Sequence, residues 1–257
     1  MNKRNIVTLL TDFGDYYPGV MKGVILKYSP EAEIIDITHS VEPQNIHQGA
    51  FLLLNSYKHF PPSIHVAVVD PGVGTERDAV IVECDEHIFI APDNGVIYPA
   101  CEEAGTKNIW RIREESIVEY SIAISKTFHG RDVFAPATAC YLNGIVEKIA
   151  ERKRKLQKID IFDYSVNNRE AKCRVLFIDR FGNAVTNLRK EVIEDINPKA
   201  FYMCGQKFPL VKSYSDVGKG ERLSIIGSFG TLELSLREGD VSKSMKISSG
   251  WLNLEFD

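Results

Sequence analysis

Short β-branched runs alternate with longer stretches carrying an apolar stripe over roughly the first 150 residues. NIVTLL (5–10) reads as a strand and GVMKGVILKY (19–28) as a helix stopped by Pro30. EIIDIT (33–38) is strand-like, and NIHQGAFLLLNSYKHF (45–60) has helical spacing up to Pro61 and Pro62. IHVAVV (64–69), AVIVE (79–83), HIFIA (87–91) and NIWRIR (108–113) follow as strands. VIYPACEEAG (96–105) reads as a helix closed by Gly105, and the segment after His129 as another. Strands interleaved with helices predict a mostly parallel sheet with both faces covered.

ERKRKLQK (151–158) is basic and polar, and reads as a solvated helix end and linker. Beyond it the helical spacing disappears. RVLFID (174–179), AVTNL (184–188), FYMCG (201–205), KFPLV (207–211), RLSII (222–226), TLELSL (231–236) and WLNLEF (251–256) are strand-like, most of them separated by Gly, Asn or Asp. CGQ between two of these runs reads as a hairpin turn. The pattern predicts an α/β N-terminal domain, residues 1–165, and a small all-β barrel or sandwich, residues 166–257.

Composition narrows the class. Of 257 residues, 44% are hydrophobic and 26% charged, as in ordinary globular domains. No run approaches the length of a membrane span, and IVTLL before Asp12 is too short for a secretory signal. A net charge of -4 argues against a general nucleic-acid binder. The five cysteines have no CxxC pairing and read as reduced thiols of a cytoplasmic protein.

Candidate chemistry gathers at strand ends. LLTD, AVVD and IAPD end on Asp12, Asp70 and Asp93, each soon followed by glycine. In open parallel sheets, ligands bind beyond such carboxyl ends. DPGVGTERD (70–78) lacks both phosphate-loop spacings, GxxxxGK[ST] and GxGxxG. TFHGRD sets His129 between an aromatic and a glycine, where it can move a proton beside Asp70 and Arg77. A metal held by Asp12, Asp70 and His129 is conceivable, but no paired-histidine spacing supports it. In DRFGNAVTN, Phe181 sits among turn residues, and the Asn183 amide can both donate and accept. Tyr214 and Phe229 also lie next to turn residues, where a ring can stack on a planar base.

Taken in order, TDFG (11–14), GVMKGVI (19–25), IDITH (35–39), NIHQGA (45–50), VAVVDPGVGTER (66–77), IAPDNG (90–95), TFHGRDVFAP (127–136) and DRFGNAVTN (179–187) resemble the S-adenosylmethionine hydroxide adenosyltransferases. These are adenosine-forming hydrolases related to the fluorinase and chlorinase enzymes. The resemblance implies an α/β domain followed by a β-barrel. It implies a homotrimer with intersubunit active sites, and cleavage of S-adenosyl-L-methionine by water into adenosine and methionine. It implies no metal or other cofactor. Its catalytic triad corresponds to Asp70, Arg77 and His129. The halogen-using relatives carry tyrosine at the positions of Asp70 and His129, so the residues here favour water over halide. Asp12 corresponds to the ribose-binding acid, Phe181 and Tyr214 to an aromatic pair around adenine, and Asn183 to an adenine-edge contact. Asp179 and Ser228 correspond to the methionine end. Phe229 stands where the halogenases carry an arginine for the methionine carboxylate. LREGDVSK (236–243) loosely matches the end of an adenine-binding strand, with contacts near Arg237 and Glu238. Asp15 is not carried over, because the loop after TDFG is short.

The residue types suit that reaction. The sulfonium leaves as a neutral thioether, so the difficulty lies in the nucleophile. A carboxylate and an imidazole can orient a water and take its proton. Arginine stays charged and can pin the carboxylate through paired hydrogen bonds. Phe128 can favour the sulfonium by about 0.5–2 kcal/mol. Two other readings remain open on sequence: a non-catalytic S-adenosylmethionine or adenosine sensor, and a chloride-dependent halogenase.

Overall fold

The computed structural model describes residues 5–121 and 124–257, and the chain divides into two compact units, one ending at Ile159 and the other spanning Asp160–Asp257. The first contains β1 (Ile6–Thr11), α1 (Tyr16–Tyr28), β2 (Glu33–Thr38), α2 (Ile46–Ser56), β3 (Ile64–Val68), β4 (Ala79–Glu83) and β5 (Ile88–Pro92). It continues through α3 (Tyr98–Glu103), β6 (Asn108–Ile112), α4 (Glu114–Ile117), α5 (Ala135–Leu142), α6 (Val146–Ile149) and β7 (Ala150–Lys153).

These strands form a seven-stranded sheet ordered β2-β1-β3-β5-β4-β6-β7. β2, β1, β3 and β5 pair in parallel, while β4, β6 and β7 are added by antiparallel pairing. Strand periodicity sorts the side chains. Val7, Leu9, Ile64, Val66, Ile81 and Ile90 face a core shared with Met21 and Ile25 of α1 and Ala135 and Ala137 of α5. The opposite face meets α2. A β-carbon at Gly49 would lie 3.0 Å from Val69 Cγ2, so glycine permits that close approach. Just past α2, the Tyr57 ring lies 5.5 Å from Phe89.

A polar ladder crosses this apolar sheet. Thr8 Oγ1 lies 2.7 Å from His65 Nδ1, and His65 Nε2 lies 3.0 Å from His87 Nδ1. Burial, with the nearby His87 second, pushes His65 down to about 3.

The linker expected over 151–158 is partly strand. β7 pairs with β6 from Ala150 to Lys153. Its charges are satisfied locally: Arg152 lies 3.8 Å over the Trp110 ring, and Lys153 pairs with Asp78 at 2.6 Å and Asp93 at 3.2 Å. The helix expected over 45–60 ends at Ser56 and tightens into a 3₁₀ turn, Tyr57–His59. The helix after His129 opens with a π-helical turn, Gly130–Phe134, before α5.

The second unit contains β8 (Ser165–Asn167), β9 (Glu170–Ile178), β10 (Ala184–Arg189), α7 (Lys190–Ile196), β11 (Ala200–Met203) and β12 (Gln206–Pro209). β13 (Arg222–Ile226), β14 (Thr231–Leu236), α8 (Val241–Met245) and β15 (Gly250–Phe256) complete it. The sheet runs β12-β11-β15-β9-β10-β14-β13, with β8 beside β9. Its two ends meet where Val211 donates to the Ser224 carbonyl and Ser224 Oγ to the Phe208 carbonyl, so the sheet nearly closes into a barrel. Phe201, Phe208, Leu232, Leu234, Val175 and Leu254 fill its core. β11 and β12 are joined at Cys204 (φ 50°) and Gly205 (φ 71°), the paired positive angles of a tight hairpin turn. Cys204 is exposed, whereas Cys84, Cys101, Cys140 and Cys173 are buried thiols.

Among the described residues no helix is long and apolar enough to cross a membrane.

Candidate active site

In the first unit, β1 and β3 are parallel neighbours with Thr11 opposite Val68. Chain order reverses between them, because β2 lies outside β1 and β3 lies inside. Ligands characteristically bind at such a crossing point. Asp12 follows β1 there and Asp70 follows β3. Asp93, at the end of β5, is already engaged: it accepts from Gln157 N at 2.7 Å and pairs with Lys153.

Asp70 and Arg77 are the ends of one folded loop. Arg77 Nε donates to both carboxylate oxygens at 3.1 and 3.0 Å, and Nη2 donates to Oδ2 at 2.6 Å. Gly74 lets the loop turn, with φ 77°; a β-carbon there would come within 2.4 Å of the Lys126 carbonyl. Asn94 Nδ2 donates to the Val69 carbonyl at 2.8 Å and so braces the residue before Asp70.

Arg77 Nη2 also lies 2.7 Å from His129 Nδ1. Guanidinium only donates, so Nδ1 accepts, and a neutral His129 carries its proton on Nε2. His129 is buried at the start of the π-helical turn. Burial and then the Arg77 charge lower its affinity for a proton, against smaller opposing effects of Glu114, Asp70 and Asp132. Arg77 Nη1 is buried with no hydrogen-bond partner. Among the described residues it is therefore a free donor at the centre of the cluster.

Asp12 Oδ2 accepts from Gln44 N at 2.7 Å. Burial raises the Asp12 carboxyl and the Asp70 charge adds to this, while the Gln44 amide opposes it. Asp12, Asp70, Arg77 and His129 thus form one electrostatic group. Phe128 adjoins it through His129, with its ring 5.7 Å from Phe13 and 4.9 Å from Tyr17. Sequence reasoning missed Glu114, whose Oε1 lies 3.7 Å from His129 Nδ1. Nothing in REESIV distinguishes that acid from a solvated one. Among the described residues no three His, Cys, Asp or Glu side chains converge as a metal-ligand set.

In the second unit, Asp179, Phe181 and Asn183 belong to the loop between β9 and β10. Asp179 Oδ1 accepts from Phe181 N (2.8 Å) and Asn183 N (2.9 Å), and Oδ2 accepts from Asn183 Nδ2 (2.9 Å). This holds Phe181 out with 79% of its surface exposed. It also commits the Asn183 NH₂ while leaving the amide oxygen available as an acceptor.

Tyr214 stands on a 3₁₀ turn, Tyr214–Asp216, capped by Ser213, and its hydroxyl donates to Glu233 Oε1. Burial and then Glu233 hold the phenol protonated to high pH. Ser228 and Phe229 lie in the turn between β13 and β14, with Phe229 6.0 Å from the Phe177 ring. Arg237 and Glu238 lie past the other end of β14. Arg237 Nη1 donates to the Val217 carbonyl, and Glu238, at φ 54°, pairs with Lys219 at 2.8 Å. The register Ala184 opposite Leu234 puts the Asp179 loop at that same far end. The Asp179 charge also reaches Tyr214, adding to the rise of its phenol.

Comparison with known proteins agrees with this two-part arrangement. The SAM hydroxide adenosyltransferase N-terminal domain model matches residues 7–166, and the C-terminal domain model matches residues 173–251. The chain is 39% identical to the (R)-S-adenosyl-L-methionine hydrolase of Methanocaldococcus jannaschii, over 95% of this chain and 92% of that one. It is 22% identical to a fluorinase of Actinopolyspora mzabensis, over 96% and 95% of the two chains. The crystal structure of an uncharacterized conserved protein from Thermotoga maritima superimposes with a TM-score of 0.84 at 33% identity, covering 97% of this chain and 99% of that one.

Proposed function

The chain belongs to the SAM hydroxide adenosyltransferase family, and we propose that it hydrolyses S-adenosyl-L-methionine to adenosine and L-methionine. The observation that carries this reading is the Asp70–Arg77–His129 constellation, with one guanidinium joining a carboxylate to a buried imidazole. Identity to a named hydrolase at 39%, against 22% to a fluorinase, supports water over halide as the nucleophile.

The mechanism follows from what each group can do. Water attacks C5′, the new C–O bond forms as the C5′–S bond breaks, and the electron pair leaves on sulfur as a neutral thioether. The water must lose a proton. His129 offers Nε2–H and has its Nδ1 lone pair engaged by Arg77, so it serves as a donor that orients the water. Asp70 retains carboxylate lone pairs and takes the proton. The partnerless Arg77 Nη1 can donate to the developing hydroxide. Fixing the water in line with C5′ draws on the roughly 7–11 kcal/mol that positioning can supply. Asp12 accepts from the vicinal ribose hydroxyls. Phe181, Tyr214 and Asn183 recognise adenine by stacking and by an amide edge, with Arg237 and Glu238 beside them. The Asp179 loop and Ser228–Phe229 border the methionine end.

We further infer a cytoplasmic homotrimer with intersubunit active sites and no cofactor requirement. The test is incubation of metal-stripped protein with S-adenosylmethionine in ¹⁸O water. Equal adenosine and methionine, with ¹⁸O in adenosine, is the expected result. Intact substrate in the presence of measurable binding would replace hydrolysis by a sensor function.

A further inference from the structure

Asp132 is an acid set at the head of a buried run. It is only 1% exposed, and in DVFAPATAC (132–140), where every residue is buried, it is the one charged side chain. A carboxylate withdrawn from water is costly unless charge-assisted hydrogen bonds replace the solvent. Here they do, and they all run back toward the segment in front of it. Ser125 N donates to Oδ2 at 2.8 Å, Arg131 Nη2 to Oδ2 at 2.9 Å, and Arg131 Nε to Oδ1 at 2.6 Å.

These bonds close the chain on itself. Asp132 N donates to the Phe128 carbonyl at 3.2 Å, while the carboxylate reaches across to Ser125. Phe128 and His129 therefore lie within a ring of chain from Ser125 to Asp132 that is clamped at its two ends. Inside the ring, Ser125 Oγ accepts from Thr127 N at 3.1 Å, and the Arg131 guanidinium stands 5.5 Å from the centre of the Phe128 ring. The clamp lies in the π-helical turn, a rare geometry that recurs at functional sites.

The outer wall of the ring is the seat of the other loop. A β-carbon on Gly74 would come within 2.4 Å of the Lys126 carbonyl, so the turn between Asp70 and Arg77 rests against backbone that Asp132 fixes. That contact gives the two loops their register. Their joint is the 2.7 Å approach of Arg77 Nη2 to His129 Nδ1. Among the described residues Asp132 makes no hydrogen bond to Asp70, Arg77 or His129, so any part it has in the reaction is played through them.

We propose that Asp132 is a positioning residue for the hydrolysis: it holds His129 at its distance from Arg77, and so fixes where the attacking water is held. This rests on the S-adenosylmethionine reading above and adds a residue outside the triad on which the alignment of the triad depends. A displacement of about 1 Å at such a site can cost about 100-fold in rate.

The test compares wild type, Asp132→Asn, His129→Ala and the double variant, each assayed well below its thermal midpoint. Asparagine has nearly the same shape and keeps an acceptor for Ser125 N, but it loses the charge that holds Arg131. Asp132→Asn should lower kcat by about 10- to 100-fold with KM within several-fold. Most of that loss should vanish in the His129→Ala background, because the group being positioned is gone. In ¹⁵N spectra of the wild type, His129 should show one tautomer, protonated on Nε2 with Nδ1 as acceptor; in Asp132→Asn the Nδ1 signal should move toward that of a free imidazole. Arg131→Gln, at a half-exposed position, loosens the same carboxylate from the solvent side and should show a milder form of the same pattern, even where Asp132→Asn folds poorly.

Equal fractional losses of kcat with and without His129, or an unmoved His129 spectrum beside a lowered thermal midpoint, would make Asp132 a residue of the fold at large and overturn the proposal. A wild type that releases adenosine and methionine beside an indifferent Asp132→Asn sinks this inference alone. A wild type that binds S-adenosylmethionine and leaves it intact removes the parent reading and this inference together.

Discussion

Arg77 Nε and Nη2 are taken by Asp70 and His129 while Nη1 is not, so replacing this residue removes both a scaffold and a donor. Lysine keeps the charge and loses the planar fork. Arg77→Lys should therefore lower kcat about 100- to 1000-fold, as for loss of one charge-stabilising donor. KM should stay within several-fold, and steady-state kinetics reads both. His129 gives a second check. Burial and then the Arg77 charge lower its affinity for a proton, which favours the neutral imidazole relative to a free histidine. Removing that charge in Arg77→Met should move His129 upward in an NMR titration. An unchanged midpoint would mean that the 2.7 Å contact does not persist in solution. The residue types were legible as a list of acids, an arginine and a histidine, and their grouping came from family resemblance. Spacing alone could not show that residues 70 and 129 share one guanidinium, because that depends on two loops meeting.

At the scale of elements, the Thr8–His65–His87 ladder ties the centre of the first sheet to acidity. The folded state keeps His65 neutral to about pH 3, whereas the unfolded chain protonates it near 6.5. The unfolded state thus binds more protons below that pH, and stability falls as pH drops from about 6.5 toward 3. The full difference is of order 5 kcal/mol, and His87, also lowered chiefly by burial, acts in the same direction. Urea midpoints measured across that range should fall steeply for the wild type and more gently for His65→Asn. Parallel slopes would assign the acid limb to the carboxylates. The π-helical turn is sensitive in a different way. A β-carbon at Gly130 would meet Phe128 and Phe13 ring atoms at 2.9 Å and Met21 Sδ at 3.0 Å. Gly130→Ala should cost about 1–3 kcal/mol by overpacking, read as a lower thermal midpoint with His129 displaced. Most strands were visible as β-branched runs. β7 was not, because an edge strand built from Glu, Arg and Lys looks like a linker until Trp110, Asp78 and Asp93 are in place to receive its charges.

Across the whole molecule, the change of texture after residue 150 anticipated two units with different cores, an α/β sheet and a nearly closed antiparallel barrel. The short helices α7 and α8 escaped because KEVIEDI and VSKSM are too brief to display a stripe. The homotrimer we propose predicts a light-scattering mass three times the 28.9 kDa of one chain; a monomer at micromolar concentration would contradict it. The turn at Cys204–Gly205 has a practical consequence for such work. Its thiol is exposed while the other four are buried, so the unmodified sequence already carries a single address for a maleimide dye. A fluorophore or spin label placed there would mark the barrel unit without an engineered cysteine, leaving Asp70, Arg77 and His129 untouched.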